Sequence, residues 1–592
     1  IQACITNRKI VRQAESGNKE DTRAMKVLWK KGIAAMLALL MACGAGGCTD
    51  SGELSTDTTS SAGSSAEDDA WIAAATDPLT PYPETVTVTF GKEAGRNFSA
   101  LAGTEWENDN DDDNTMYDII GGFLNIDIQI DFVGNGGDDY NKKVAMAIAD
   151  GNIPDVMKVS DYSTLKQLVE SDMVEDLTQA FEDCATDRIW DIYDSFDGRC
   201  LESGKIDGKL YGIPATNIFN GQELLWLRKD WLDKLNLEEP ETMEDIEYIL
   251  QQFVEQDPGN NGEGKTIGLV VDTGIAGVYG AQFQLNGIFT HYGAAPGQWI
   301  EKDGEVVYGS VQPEMKEALT VLRDWYAKGL IDPQVAVRTH DDRNAVVASG
   351  QCGAFFGAWW SCNSPASDAW ALDNSVEWVP CVVPVGEDGK VTVIEQNPSM
   401  GYLVVRKGFE HPEVAVKLVS LRYDYMNRSD YVQSDAEKAY IAGDVGCDFL
   451  GNCDFNNALV LCYENIRDIL DGKSPEDATA FEYGVAASCQ KYVDAIDAGQ
   501  LPDKNDWTNY YGRMIGTRLA AEVPYNKISP VFYSSTDTMK LRWGSLQKME
   551  SEMLLRIVMN EDPIDSFDSF VEEWYASGGD TITEEVSAEV AK

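Results

Sequence analysis

Leu124-Asn125-Ile126-Asp127-Ile128-Gln129-Ile130-Asp131-Phe132 alternates apolar and polar residues, and Tyr140–Ala149 then carries its apolar residues at helical spacing. Gly151-Asn152-Ile153-Pro154 breaks the chain before a second apolar run, Asp155-Val156-Met157-Lys158-Val159. A period of two predicts a strand and a period of 3.6 a helix, so this stretch predicts strand, helix, strand. That order packs as a right-handed crossover with a parallel sheet. The same rhythm starts upstream, where Thr85-Val86-Thr87-Val88-Thr89-Phe90 alternates and Met116–Phe123 reads as a helix. Ligands of such sheets sit outside the carboxyl ends of the strands. Two strand-end loops are thereby singled out, one with Glu105 and Trp106, the other with Asp161 and Tyr162.

Farther along, Gly208–Ala215 predicts a strand entering a crossover, Leu224–Leu235 a helix, and Thr242-Met243-Glu244-Asp245 a capping box that opens another helix. Helices are expected over 313–329, 412–426, 477–498 and 537–559, and strands over 268–271, 378–383 and 401–405. No fixed-period repeat occurs. The pattern is one large mixed α/β unit with distant segments interleaved.

Composition narrows the function. The 592 residues include 99 Asp+Glu against 47 Lys+Arg, for a formal charge of −52. Such a chain repels phosphate backbones and anionic lipid, which excludes nucleic acid as a partner and points to a neutral or cationic ligand. Three histidines leave little for metal or acid–base chemistry that needs several. The 12 cysteines contain no CxxC spacing. Cys447–Cys453 and Cys184–Cys200 are close enough in sequence for disulfides; small buried apolar thiols are the alternative.

Residues 1–24 show no apolar period and read as translated upstream sequence. From Met25, Lys26, Lys30 and Lys31 precede the apolar stretch Ile33–Ala42, which is too short to span a bilayer. Leu40-Met41-Ala42-Cys43 resembles a bacterial lipobox, so 25–42 is expected to be a lipoprotein signal peptide and Cys43 the lipidated residue, with Cys48 as alternative. Residues 43–83, rich in Ser, Thr, Gly and Asp at the start, are expected to form a tether. The folded part would then stand on the outer face of the cytoplasmic membrane.

Several motifs occur in a fixed order: Tyr211-Gly212-Ile213-Pro214 with Leu227–Leu235, Glu239–Asp245, Lys328-Gly329-Leu330-Ile331-Asp332-Pro333, Gly350–Trp360, Pro384–Lys390, and Ile564–Val571 with Trp574 and Gly578-Gly579. This ordered set resembles the extracellular solute-binding lipoproteins of carbohydrate ABC importers, in particular the large oligosaccharide type. The resemblance implies a periplasmic-binding-protein-like type II fold, two α/β lobes joined by crossing strands with a cleft between them. It maps one lobe to 84–215 plus 360–425 and the other to 216–359 plus 426–592. It implies reversible capture of an oligosaccharide by a monomer, delivery to the transmembrane subunits of a permease, no cofactor and no catalysis. Some relatives carry a calcium loop; here Asp257 and Asn261 occupy ligand positions, but Gly259 and Lys265 spoil the set, so no metal is expected.

A sugar offers C–H faces to aromatic rings and hydroxyls to carboxylates and amides. The resemblance places Trp359 and Trp360 on a crossing strand at the cleft floor, where adjacent residues would point to opposite faces. Trp106 with Glu105, Tyr162 with Asp161, and Asn217 with Asn220 past the crossover complete the expected ligand set. Abundant carboxylates also suit a secreted glycoside hydrolase, which needs an acid and a base or nucleophile at fixed separation; no motif for such a pair is found.

Overall fold

The computed structural model describes residues 66–95, 97–219, 221, 223–382, 385–386, 388–442 and 445–591. Cys43, Cys48, the signal segment and Asn220 lie outside them. Two sheets organise the described chain. The first has five strands in the order Ile126–Gly134, Val86–Glu93, Val156–Val159, Ser399–Val405 and Ile213–Thr216. Its first three strands are parallel, as the alternating stretches predict, and Ser399–Val405 runs antiparallel to its two neighbours. The second sheet has Trp378–Cys381, Leu224–Arg228, Cys352–Gly357 and Ile267–Val270 in that order.

Helices close both sheets, each over its own apolar core. Phe90, Leu124, Phe181, Tyr193 and Val405 belong to the first core, and Leu225, Trp231, Phe253, Trp325 and Trp574 to the second. Met243–Gln256 forms as expected: the Thr242 side chain accepts from the Asp245 N–H and Asp245 reaches back, a cap worth about 1 kcal/mol. Among the described residues no helix is long and apolar enough to cross a membrane.

Four expectations need correction. Leu224–Leu235 is not one helix: Leu224–Arg228 is a strand with all five residues buried, and the helix is Lys229–Leu235. A strand covered on both faces loses its alternation and reads like any apolar run. Trp359 and Trp360 sit in a 3-10 turn, Trp359–Cys362, beyond the strand Cys352–Gly357.

The boundary expected at residue 360 also shifts. Cys362, Trp370 and Trp378 pack with Trp226 and Phe355 of the second sheet, whereas Met426, Tyr440, Cys447 and Cys453 pack with the first core. Finally, the tether does not reach residue 83. Ala66–Thr76 is a helix, and the Lys417 ammonium donates to the carbonyls of Ala74, Asp77 and Thr80 at 2.8, 2.6 and 2.8 Å. Trp71 stacks on His411 with ring centroids 5.1 Å apart, so this segment belongs to the fold.

The nine described cysteines are buried free thiols, Cys184, Cys200, Cys447 and Cys453 among them. They serve as small apolar residues.

Candidate functional site

Three segments that pass between the sheets lie side by side and bond to one another. The Thr216 N–H donates to the Asn452 carbonyl at 3.0 Å and the Asn217 N–H to that of Pro398 at 2.9 Å. The Phe219 N–H donates to the Asn456 carbonyl at 2.9 Å. The Asn217 amide adds bonds to the Asn397 carbonyl at 2.8 Å and to Gln396 Oε1 at 3.3 Å. Backing them, Val391–Ile394 pairs in parallel with Tyr525–Ile528.

A cavity of about 50 Å³ opens where these segments meet the second sheet, lined by Gly221, Glu223, Tyr279, Thr290, Ala358 and Gln396 among others. Glu223 reaches it just before the buried strand begins. One of its oxygens accepts from the Gly287 N–H at 2.8 Å, the other from the Asn286 amide at 3.5 Å. Burial pushes this carboxyl up to about 8, against the lowering effect of those two donors. Asn286 also ties down the neighbouring loop, accepting from the Gly277 N–H and donating to the Val278 carbonyl. Gly221 has φ +73°, and a Cβ there would come 2.8 Å from that of Ala520, so glycine permits the close approach.

The expected ligand residues divide into two groups. Ala358, next to the aromatic pair, lines the cavity, and Asn217 is bonded to its lining residue Gln396. Both tryptophans are half-buried. Trp359 is committed to packing: the Arg513 guanidinium lies 4.3 Å from its ring centroid, and its carbonyl would stand 3.0 Å from a Cβ on Gly516. Among the described residues Trp360 has no such ring partner.

The loops of the first sheet are more independent. Glu105 is exposed and Trp106 packs half-buried on the first core. Asp161 is a helix cap, accepting from the Thr164 N–H at 2.9 Å and its hydroxyl at 2.8 Å. Tyr162 is half-buried, its hydroxyl held above its usual range by burial and by the Glu589 and Asp207 carboxylates. The hydrogen bonds of Trp106 and Asp161 stay beside their own loops. Glu223, Tyr279, Gln396 and Arg513 escaped the sequence reading. A lone Glu flanked by Gly221 and a buried strand was the one available signal.

The calcium-like loop is closed by the protein itself. Asp257 accepts from the Thr266 hydroxyl at 2.5 Å and from the Asn261 and Gly262 N–H groups at 2.9 Å each. Asn261 turns its amide donor toward Thr266 and Gly350, and Lys234 donates to the Pro258 carbonyl. Donors stand where a cation would need oxygens, so this set does not fit calcium. Among the described residues no cluster of three or more His, Cys, Asp or Glu could hold a metal.

Residues 108–439, more than half of the chain, match the family described as bacterial extracellular solute-binding protein. The chain belongs to this family. By that description it is a family of extracellular solute-binding proteins. Among its relatives, the polygalacturonan/rhamnogalacturonan-binding protein YtcQ of Bacillus subtilis (strain 168) is 24% identical over 286 residues, 48% of this chain and 54% of YtcQ. The fructooligosaccharide ABC transporter substrate-binding protein FusA of Streptococcus pneumoniae serotype 4 is 27% identical over 237 residues, 37% of this chain and 40% of FusA. The chain thus spans about half, or less, of the length of these curated relatives. A solved extracellular solute-binding protein from Bifidobacterium longum subsp. infantis has the same fold, with TM-score 0.58 and 15% identity, covering 86% of this chain and 98% of that one.

Proposed function

We propose that this solute-binding protein captures an oligosaccharide reversibly between its two lobes and hands it to the membrane subunits of an ABC importer, while a lipid on Cys43 tethers it outside the cell. The observation that carries the reading is the half-exposed Trp360 turn beside a polar cavity, at the place where the crossing segments meet. An aromatic face next to buried hydrogen-bonding groups is what a sugar ring needs. The lobes would close by bending the crossing segments. Trp106 and Tyr162 would then meet the ligand from the opposite lobe. The ligands for which YtcQ and FusA are named support a carbohydrate. The anchor rests on the lysines before Ile33–Ala42 and on the cysteine that follows.

The test incubates the purified protein with a panel of oligosaccharides, following the melting temperature and the products. A ligand-dependent rise without shortened products is expected, about 2.7 kcal/mol of stabilisation at a hundredfold excess over Kd. Shortened products, or no shift with any sugar, would overturn it. Trp360→Ala should abolish most of the shift while leaving the ligand-free melting temperature nearly unchanged.

A further inference from the structure

Resting on the reading that the chain captures an oligosaccharide, we infer that the cavity at Glu223 receives an uncharged, hydroxyl-bearing part of the sugar and rejects sugar carboxylates. Its polar lining consists of Glu223, Tyr279, Asn286, Thr290, Gln396 and Thr392, and among the described residues no Lys, Arg or His lines it. A uronate entering such a place sheds its water and finds no cation, the costliest form of burial. It would also meet Glu223, and two carboxyl groups in one site oppose each other's ionisation.

Two cations on neighbouring segments are already committed. Lys527 bonds Glu395 at 2.8 Å, and Arg513 is held over the rings of Trp359 and Phe481, at 4.3 and 5.2 Å from their centroids. Burial raises the Glu223 carboxyl to about 8, which agrees with a site whose surroundings disfavour negative charge. The formal charge of −52 adds a long-range field of the same sign.

Size sets which part of the sugar enters. About 50 Å³ accommodates a few water-sized groups, so a hydroxymethyl arm or a pair of hydroxyls fits whereas a whole ring does not. The ring itself would lie outside, against Trp360. Glu223 has lone pairs left after Gly287 and Asn286, and its protonated form can also donate, so it serves hydroxyls in either role.

The deciding experiment uses oligogalacturonides, their fully methyl-esterified forms, and neutral fructo-, xylo- and galacto-oligosaccharides of matched length, read by melting shift and calorimetry. Neutral members are expected to bind, and the free-acid oligogalacturonides are expected to give no shift. Free acids that bind as tightly as a neutral sugar would overturn the inference and leave the capture reading standing. If no sugar of either kind binds, the capture reading fails and this assignment falls with it. Glu223→Gln keeps an acceptor for the Gly287 N–H, so the variant should fold; affinity for the neutral ligand should drop about tenfold. Unchanged affinity in a variant that melts no lower than the parent would remove Glu223 from the site.

Discussion

Glu395 and Glu223 stand on two neighbouring crossings, and their carboxyls are held in opposite states. Burial pushes both upward. At Glu395 that push is overcome by hydrogen bonds from Lys527 at 2.8 Å and Ser529 at 2.6 Å and by the charge of Arg199, whose two nitrogens lie 3.3 and 3.4 Å away. The group ends at about 2. At Glu223, among the described residues, the donors are neutral, and the group ends at about 8. Shielding has one sign; the charge of the partners decides the outcome. One crossing therefore carries a permanent ion cluster that ties the helix Arg199–Glu202 to the Val391–Ile394 ribbon. The other carries a carboxyl with unspent hydrogen-bonding capacity at the cavity.

The largest effect expected from breaking this contrast is at Glu395. Glu395→Gln removes the charge that Arg199 and Lys527 share. A fully buried pair so broken costs about 3–5 kcal/mol, but these cations are 43% and 37% exposed, so about 2 kcal/mol is expected. Urea unfolding at pH 7 measures it; a loss under about 0.5 kcal/mol would mean the cluster is ornamental. The folded carboxyl titrates below its ordinary value of 4.5. Its contribution is therefore full above that value and disappears as pH falls toward 2, so parent and variant should converge across this window.

Glu223→Gln should act in the other direction. Here the folded group titrates above its ordinary 4.5, so its favourable share is present below that pH and is lost as pH rises through about 8. The variant escapes this loss. It should be more stable than the parent near pH 8, with the gap narrowing toward pH 4.5. Equal stability at both pH values would show that Glu223 is better solvated than its surroundings imply. A gain in stability together with the loss of sugar affinity would mark the residue as kept for binding.

The first sheet was legible because half-covered strands alternate, as Ile126–Gly134 does, with its inner residues Ile126, Ile128, Ile130 and Phe132 buried or half-buried and Asp127, Gln129 and Asp131 exposed. The same logic failed at Leu224–Arg228, where both faces are covered and nothing alternates. The aromatic pair was legible as a site element but not its geometry, since a 3-10 turn has no period of its own to reveal it. Glu223 was illegible for a different reason. Its main donor, the Gly287 N–H, comes from 64 residues farther along the chain, and no local pattern carries that information. Asn217 was visible from its place past the crossover, yet its partners at 396 and 397 were not.

Asp257 sharpens the comparison, with the smallest expected effect. Like Glu223 it is met by neutral donors, yet it is held below its ordinary value, first by the Thr266 hydroxyl, against the opposing push of burial, and then by the Gly262 and Asn261 N–H groups and the charge of Lys234. Neutral donors with the help of Lys234 outweigh burial at Asp257, whereas at Glu223 burial outweighs its two neutral donors. This loop has no need of a cation to neutralise it, because its donors and the nearby Lys234 already do so. Adding millimolar calcium or a chelator should move the melting temperature by less than about 1 °C. A calcium-dependent rise of several degrees would show that Asn261 and Thr266 can turn their oxygens inward, and would dissolve the contrast with Glu223. Thr266→Val provides the complementary check: losing the hydroxyl donor should raise the Asp257 titration midpoint toward its ordinary value, as followed by carboxyl NMR shifts, with the fold intact.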